Sequence, residues 1–176
     1  SGGHAHLDPV KSDEREPMVQ GRDRSKTMIL GDSGGFQLAT GVIKMDWSNA
    51  KEPNDPARTE FCGKILNWLE HTADWSMTLD VPAFAAVGKL SERTGLTEFQ
   101  DTLDISLLNL DYFLRNRKPE ATKFLNGLSG SNEENSKTWY DAVKHFSNKS
   151  FVQEAYGDAN RTLEGYAFAG INMKHM

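Results

Sequence analysis

The chain has 176 residues, a formal net charge of −5 and a single cysteine, Cys62. This length suits one domain with a hydrophobic core, and no stretch approaches the roughly 20 apolar residues that a membrane-spanning helix needs. The acidic balance disfavours a nucleic-acid surface spread over the whole chain, and a lone cysteine fits a reducing cytoplasm because it forms no internal disulfide.

The first 26 residues are polar and contain Pro9 and Pro17, which predicts a poorly structured arm or a loop-rich lead-in. Beyond it, four apolar runs each end in turn residues, and we interpret each run as a short strand. The predicted strands begin near residues 27, 74, 122 and 163, in the segments "KTMILGD", "ADWSMTLDVP", "ATKFLNGLSG" and "LEGYAFAGIN".

Helical patterns fill the gaps between these strands. The segments are "PARTEFCGKILNWLEHTA", "LTEFQDTLDISLLNLDYFLRN" and "NEENSKTWYDAVKHF". Their apolar residues recur at helical spacing. Pro56 lies near the start of the first helix, and Thr97 and Asn132 are candidate caps of the other two.

Alternating strands and helices predict an α/β fold with parallel strands and right-handed crossovers over residues 27–176. Four such units are half of an eightfold TIM barrel, which usually takes about 250 residues. The pattern therefore indicates either about the first half of a barrel or an open doubly wound sheet. In both folds the chemistry lies at the carboxyl ends of the strands.

The segment "ILGDSGGFQ", from Ile29 to Gln37, offers two candidate reactive residues, Asp32 and Ser33. A chymotrypsin-like protease is disfavoured, because only His4 and His6 precede the serine and the chain is not all-β. A glycine pair lets the backbone approach a ligand closely. The remaining interpretations are a flat ligand stacked on Phe36 and bonded to Asp32, or a plain turn.

The motif "DSGGFQ" resembles the signature of the tRNA-guanine transglycosylases, the queuine and archaeosine tRNA-ribosyltransferases. Three further segments follow in that family's order: "ADWSMTLDVP", "FLNGLSG" and "LEGYAFAG". The resemblance runs in pieces from about residue 27 to residue 172. It implies a TIM-barrel transferase that exchanges guanine in nucleic acid for a 7-deazaguanine such as preQ0 or preQ1.

The resemblance also implies roles for individual residues. Asp32 would be the acid/base aspartate, Phe36 would stack on the base, and Asp80 would accept hydrogen bonds from its ring N–H groups. These residue types suit guanine, whose adjacent N–H donors a carboxylate can accept in pairs. The remaining substrate-binding positions are Ser33, Gly34, Asn126 (in place of a glutamine), Gly127 and the backbone N–H of Gly170.

Two features depart from the family. Its nucleophilic aspartate and its zinc site of cysteines and a histidine correspond to sequence beyond Met176, so no nucleophile, metal or other cofactor is assigned within this chain. The segment after Asp80 reads "VPAFAA" instead of an acid-cysteine pair. This drift favours the DpdA-like branch, which modifies DNA, over the tRNA enzymes, and a homodimer or a partner subunit would fit the family.

Other interpretations stay open. A non-catalytic base- or nucleic-acid-binding module would keep the pocket without the nucleophile. The "HAHLD" segment, with His4 and His6, is a weaker indication of a metal-dependent amidohydrolase. Trp47, in a polar loop, is a candidate for nucleic-acid contact, whereas Trp68, Trp139 and Cys62 fit buried positions in helices.

Overall fold

The computed structural model describes residues 7–118, 120–146 and 165–168, and it is an α/β fold. One four-stranded sheet has the order β1–β2–β3–β4, with every neighbouring pair parallel, as the alternation of elements predicts. The strands are β1 at Leu30–Gly31, β2 at Trp75–Met77, β3 at Lys123–Leu128 and β4 at Gly165–Phe168.

One helix precedes the first strand, and the others lie between the strands. They are α1 at Pro9–Arg15, α2 at Gly35–Thr40, α3 at Pro56–Thr72, α4 at Gly88–Thr94, α5 at Phe99–Asn116 and α6 at Glu133–Phe146, with a 3₁₀ helix at Ala83–Ala86. The three long helices α3, α5 and α6 confirm the predicted ones. None of the helices in the described ranges has both the length and the apolar character needed to cross a membrane.

The starts of the long helices follow from their capping chemistry. Pro56 opens α3, and α6 begins after Asn132, whose Oδ1 accepts from the Asn135 amide over 2.8 Å. Both features were predicted. The predicted Thr97 cap of α5 is wrong by one residue: Glu98 is the N-cap and forms a capping box with Asp101.

The three crossover helices pack on one face of the sheet. Phe124 of β3 contacts Phe113 of α5 with ring centroids 5.4 Å apart, and Leu128 packs with Trp139 of α6. On β1, Gly31 lies against Leu69 of α3. The opposite face is more open, because Leu30 is 54% exposed and the neighbouring β2 and β3 side chains Trp75, Met77 and Leu125 are only half-buried.

The lead-in is more ordered than its sequence indicates. Asp8 accepts from the amides of Val10 and Lys11 and so caps α1. The helix is anchored by Ser12, which accepts a 2.8 Å hydrogen bond from the Trp68 indole of α3. The prediction of a poorly structured or loop-rich arm is therefore wrong for Pro9–Arg15, because two polar anchors offset the low hydrophobicity.

Candidate functional site

Two carboxyl groups meet at the carboxyl edge of the sheet. Asp32 directly follows β1, Asp80 follows β2, and Gly127 lies near the end of β3. Because these strands are parallel neighbours, their ends share one edge. Asp32 and Asp80 are close enough for the charge of Asp32 to raise the pKa of Asp80. The edge thus brings together the residues that the motifs predict at strand ends.

Two glycines make room for the Asp80 side chain. A Cβ atom at Gly127 would lie 3.0 Å from Oδ1 of Asp80 and 3.2 Å from its Cγ. A Cβ at Gly35 would overlap the Asp80 carbonyl oxygen and would lie 3.1 Å from Oδ1. Any larger residue at either position would have to displace Asp80, so these glycines act as spacers around a carboxyl group.

No opposite charge acts on the Asp80 carboxyl group from the residues that the structure describes. Its Oδ2 atom is buried and has no hydrogen-bond partner among the described residues. Burial, with a smaller contribution from the nearby charge of Asp32, raises the pKa of Asp80 to about 7, while the residue's own amide opposes the shift. Near neutral pH the group can therefore hold or release a proton, and its free oxygen can accept a hydrogen bond from a ligand.

The structure separates the two candidate residues of the glycine-rich loop. Ser33 is completely buried, and its hydroxyl donates to the Thr78 carbonyl over 3.1 Å, so the serine is a structural link between the ends of β1 and β2. Asp32 is exposed, and its Oδ1 accepts from the Gly34 amide over 3.2 Å. Gly34 has φ +83°, a left-handed conformation that favours glycine. Asp32 is therefore the accessible group.

Phe36 offers an aromatic surface beside these carboxyl groups. It lies on α2, one residue after the Gly35 spacer, and its side chain is 49% exposed. Its ring centroid is 5.8 Å from that of Phe84, which lies on the 3₁₀ helix after Asp80. The tilted contact fixes one side of the ring and leaves much of it open, an arrangement that allows stacking of a flat ligand.

Asn126 and Gly127 lie on opposite faces of β3. Side chains alternate along a strand, so Asn126 shares the helix-covered face of Phe124 and Leu128, and it is 5% exposed. Gly127 faces Asp80, and its amide donates to the Thr78 hydroxyl over 3.1 Å. Asn126 is thus separated from the two carboxyl groups by the strand itself. The other proposed oxygen contact, Gly170, lies outside the described residues.

The residues that hold the Asp80 loop were not predicted from the sequence. Asn109 of α5 donates to the Leu79 carbonyl over 3.2 Å, and Ser106 of α5 accepts from the Val81 amide over 2.8 Å. Ser129, after β3, accepts from the Ala83 amide over 3.0 Å. A signal was present, because Thr102, Ser106 and Asn109 form a polar row at helical spacing within an otherwise apolar helix face.

Burial bears on three further predictions, which concern Cys62, the two helix tryptophans and Trp47. Cys62 is a buried structural thiol, as predicted: desolvation raises its pKa to about 12 and its Sγ lies 3.2 Å from Asn109 Oδ1. Trp68 and Trp139 are buried in the core, also as predicted. Trp47 is half-buried and packs against the core, which leaves less of it free for nucleic acid than its polar loop indicates.

The part of the chain that the structure describes contains no set of side chains that could hold a metal ion. No three His, Cys, Asp or Glu side chains lie close enough there to share an ion. His71, one of the histidines in a helix, instead contacts Asp13 over 2.7 Å. The "HAHLD" histidines His4 and His6 lie outside the described residues, so the amidohydrolase alternative stays a prediction.

No protein-family model, curated protein or solved structure matches the chain. What the carboxyl edge can do chemically therefore has to be inferred from the side chains that lie there. They are an exposed carboxylate at Asp32, a desolvated carboxyl group at Asp80 and an open ring at Phe36. Such a set can accept hydrogen bonds from a flat donor-bearing ligand and exchange a proton with it.

Proposed function

We propose that this edge binds a guanine-type base, and that the chain acts as a base-exchange transglycosylase. It would replace guanine in nucleic acid, DNA in preference to tRNA, with a 7-deazaguanine such as preQ0 or preQ1. The observation that carries this proposal is the Asp80 carboxyl group, which sits between two glycine spacers with one buried oxygen that has no partner among the described residues. The resemblance of "DSGGFQ" to the transglycosylase signature supports the choice of base.

The chemistry of guanine complements this carboxyl group. N1–H and the N2 amino group are adjacent donors, and an ionised carboxylate accepts such a pair with two hydrogen bonds. The buried oxygen of Asp80 would gain a partner that none of the described residues supplies, while the Phe36 ring would cover one face of the base. A base flipped out of its stack is commonly held by edge hydrogen bonds and stacking in this way.

Asp32 would move the proton in the exchange. A nucleophile bonds to C1′ as the C1′–N9 bond of guanine breaks, and protonated Asp32 gives its proton to the departing guanine. The incoming 7-deazaguanine then gives its N9 proton to Asp32, and its N9 bonds to C1′ as the nucleophile leaves. Asp32 suits this role because it is exposed beside the pocket. Attack on C1′ requires a further nucleophile, which in such chemistry is commonly a carboxylate.

The strand order supports a barrel of the TIM type over a doubly wound sheet. A doubly wound sheet reverses its strand order at a switch point, which puts helices on both faces. Here the order β1–β2–β3–β4 runs in one direction, and α3, α5 and α6 pack on one face. In a barrel of this kind the helices form an outer ring and the carboxyl edge carries the site.

A non-catalytic base-binding module is the second candidate. The observation that favours it is that, among the described residues, Asp32 is the charged side chain that acts on the pKa of Asp80, and no third carboxylate acts on it there. Such a module would bind a base through Asp80 and Phe36 but would form no covalent intermediate.

The experiment separates binding from exchange. Titration of the chain with preQ1 and with guanine, followed by NMR, should show saturable binding that Asp32→Asn retains. Release of labelled guanine from duplex DNA and from tRNA should occur with the native chain and stop in Asp32→Asn. Binding without release in either substrate would establish the module, and no binding of either base would refute both functions.

A further inference from the structure

The loop that carries Asp80 is held on both sides of the carboxyl group by one helix. Asn109 binds the Leu79 carbonyl over 3.2 Å, and Ser106 binds the Val81 amide over 2.8 Å. Both α5 residues are buried, at 1% and 7% exposure. Hydrogen bonds in such an interior are strong and directional, so the residues before and after Asp80 have fixed positions.

Arg58 determines which way the Asn109 amide faces. Its Nη1 lies 3.3 Å from Asn109 Oδ1, and Cys62 Sγ lies 3.2 Å from the same oxygen. A guanidinium group offers only donors, so the Asn109 atom that faces Arg58 has to be the acceptor oxygen. The Nδ2 donor of Asn109 therefore faces the Leu79 carbonyl, as its contact requires.

The Arg58 guanidinium is itself anchored by main-chain oxygens. Its Nη2 donates to the Pro53 carbonyl over 2.6 Å and to the Glu52 carbonyl over 3.2 Å, and the residue is 1% exposed. A buried cation is costly unless its donors are satisfied. Both Nη atoms of Arg58 have acceptors, whereas its buried Nε has no hydrogen-bond partner among the described residues. These anchors lock Arg58 in place, and they join the loop before α3 to the Asp80 loop through one chain of hydrogen bonds.

We propose that Asn109 and Ser106, with Arg58 setting the orientation of the Asn109 amide, are positioning residues that hold the Asp80 carboxyl group at the base-binding edge. The positioning role rests on the proposed function only in that Asp80 is taken to bind the base. When either α5 contact is lost, the main chain beside Asp80 can shift and water can reach the carboxyl group. The carboxyl group then ionises more readily, because the desolvation that favours its neutral form is relieved.

The test is a carbon-13 NMR titration of the Asp80 carboxyl group in the full chain without any base. Asn109→Leu removes the Leu79 contact at similar volume, and Ser106→Ala removes the Val81 contact. We expect the Asp80 pKa to fall by about one unit or more in both variants. The matched control is Thr102→Val, because Thr102 is buried in the same polar row and its hydroxyl donates to Phe99 within α5.

The outcomes distinguish this proposal from the function. An Asp80 pKa that stays at the native value in folded Asn109→Leu and Ser106→Ala would overturn the positioning role. If Asn109→Leu does not fold, Ser106→Ala decides alone, since it removes only one hydroxyl group. A lowered pKa together with no binding of preQ1 or guanine to the native chain would keep the positioning role and refute base binding.

Discussion

Strand β2 carries an aspartate near each end, and the two have opposite environments. Asp74, just before the strand, accepts from Arg22 over 2.6 Å and 3.1 Å, from Arg24 over 3.3 Å and from the Ile29 amide over 2.8 Å. Asp80, after the strand, has a buried oxygen with no partner among the described residues and faces the like charge of Asp32.

These environments shift the pKa values of Asp74 and Asp80 in opposite directions. The Arg22 side chain beside Asp74 holds the pKa of that carboxyl group below its usual range. Burial raises the pKa of Asp80 to about 7. The amino edge of the sheet thus uses an aspartate to stabilise the fold, whereas the carboxyl edge keeps one at the expense of stability. Such a cost is typical of a site that must accept a ligand.

Asp74→Asn should have the largest effect on stability. It would leave the Arg22 guanidinium, whose side chain is 7% exposed, without its carboxylate. Because Asp74 is itself one-quarter exposed, the free energy of unfolding should fall by about 2–3 kcal/mol, less than for a fully buried pair. Urea unfolding at pH 7 measures this, and an unchanged midpoint would mean that the Arg22 contact contributes no stability.

Asp80→Asn should raise the free energy of unfolding, whereas Asp74→Asn lowers it. The native carboxyl group binds its proton more tightly when folded, so its contribution favours folding most below about pH 4 and declines as the pH rises to about 7. The amide cannot ionise, and the variant should therefore gain about 1–3 kcal/mol over the native chain at pH 8 and little at pH 4. Paired urea unfolding curves across this range measure the difference, and a constant difference would contradict it.

Gly127→Ala tests the space that surrounds the Asp80 carboxyl group. The new Cβ, 3.0 Å from Asp80 Oδ1, would push the carboxyl group away from its place. Base affinity should fall about tenfold, which corresponds to about 1.4 kcal/mol. Gly63→Ala is the control, since its Cβ would meet only the Tyr112 side chain. Calorimetric titration with preQ1 compares the two, and equal affinities would argue against the spacer role.

Phe36→Ala should have the smallest effect on stability and on base affinity. The ring is half-exposed, so its loss should change the free energy of unfolding by no more than about 0.5 kcal/mol. Loss of stacking should weaken base binding about fivefold, equivalent to about 1 kcal/mol. Val42→Ala, at a side chain that is 75% exposed, is the matched control for the removal of surface apolar area. Equal affinity of both variants for the base would show that Phe36 does not contribute to base binding.

The parallel sheet and its three long helices could be predicted from the sequence because apolar periodicity reports burial directly. The short elements could not. Helix α2 begins within a glycine pair that indicates a turn, and α1 lies between prolines in a polar segment. Both are stabilised by contacts with residues distant in the chain, such as that of Ser12 with Trp68, and local propensity does not report these.

The candidate site was predicted in part, because the apolar runs also show where the strands end. Asp32 and Asp80 come directly after apolar runs, so parallel topology alone brings them to one edge. The supporting residues Ser106 and Asn109 were not predicted, because their partners are main-chain atoms about 25 to 30 positions away in sequence. Asn126 shows a third case, in which the alternation of its neighbours Phe124 and Leu128 already indicated the helix-covered face.

Calorimetric titration of preQ1 into the native chain and into Asp80→Asn at pH 8 tests whether the Asp80 carboxylate binds the base. At this pH the native carboxyl group is mainly ionised, and the amide variant is expected to be at least as stable, so a loss of binding would not reflect unfolding. We expect preQ1 to bind the native chain and the variant to bind it about 100-fold more weakly, because charge-assisted hydrogen bonds are lost. Equal affinity in the two proteins would contradict it.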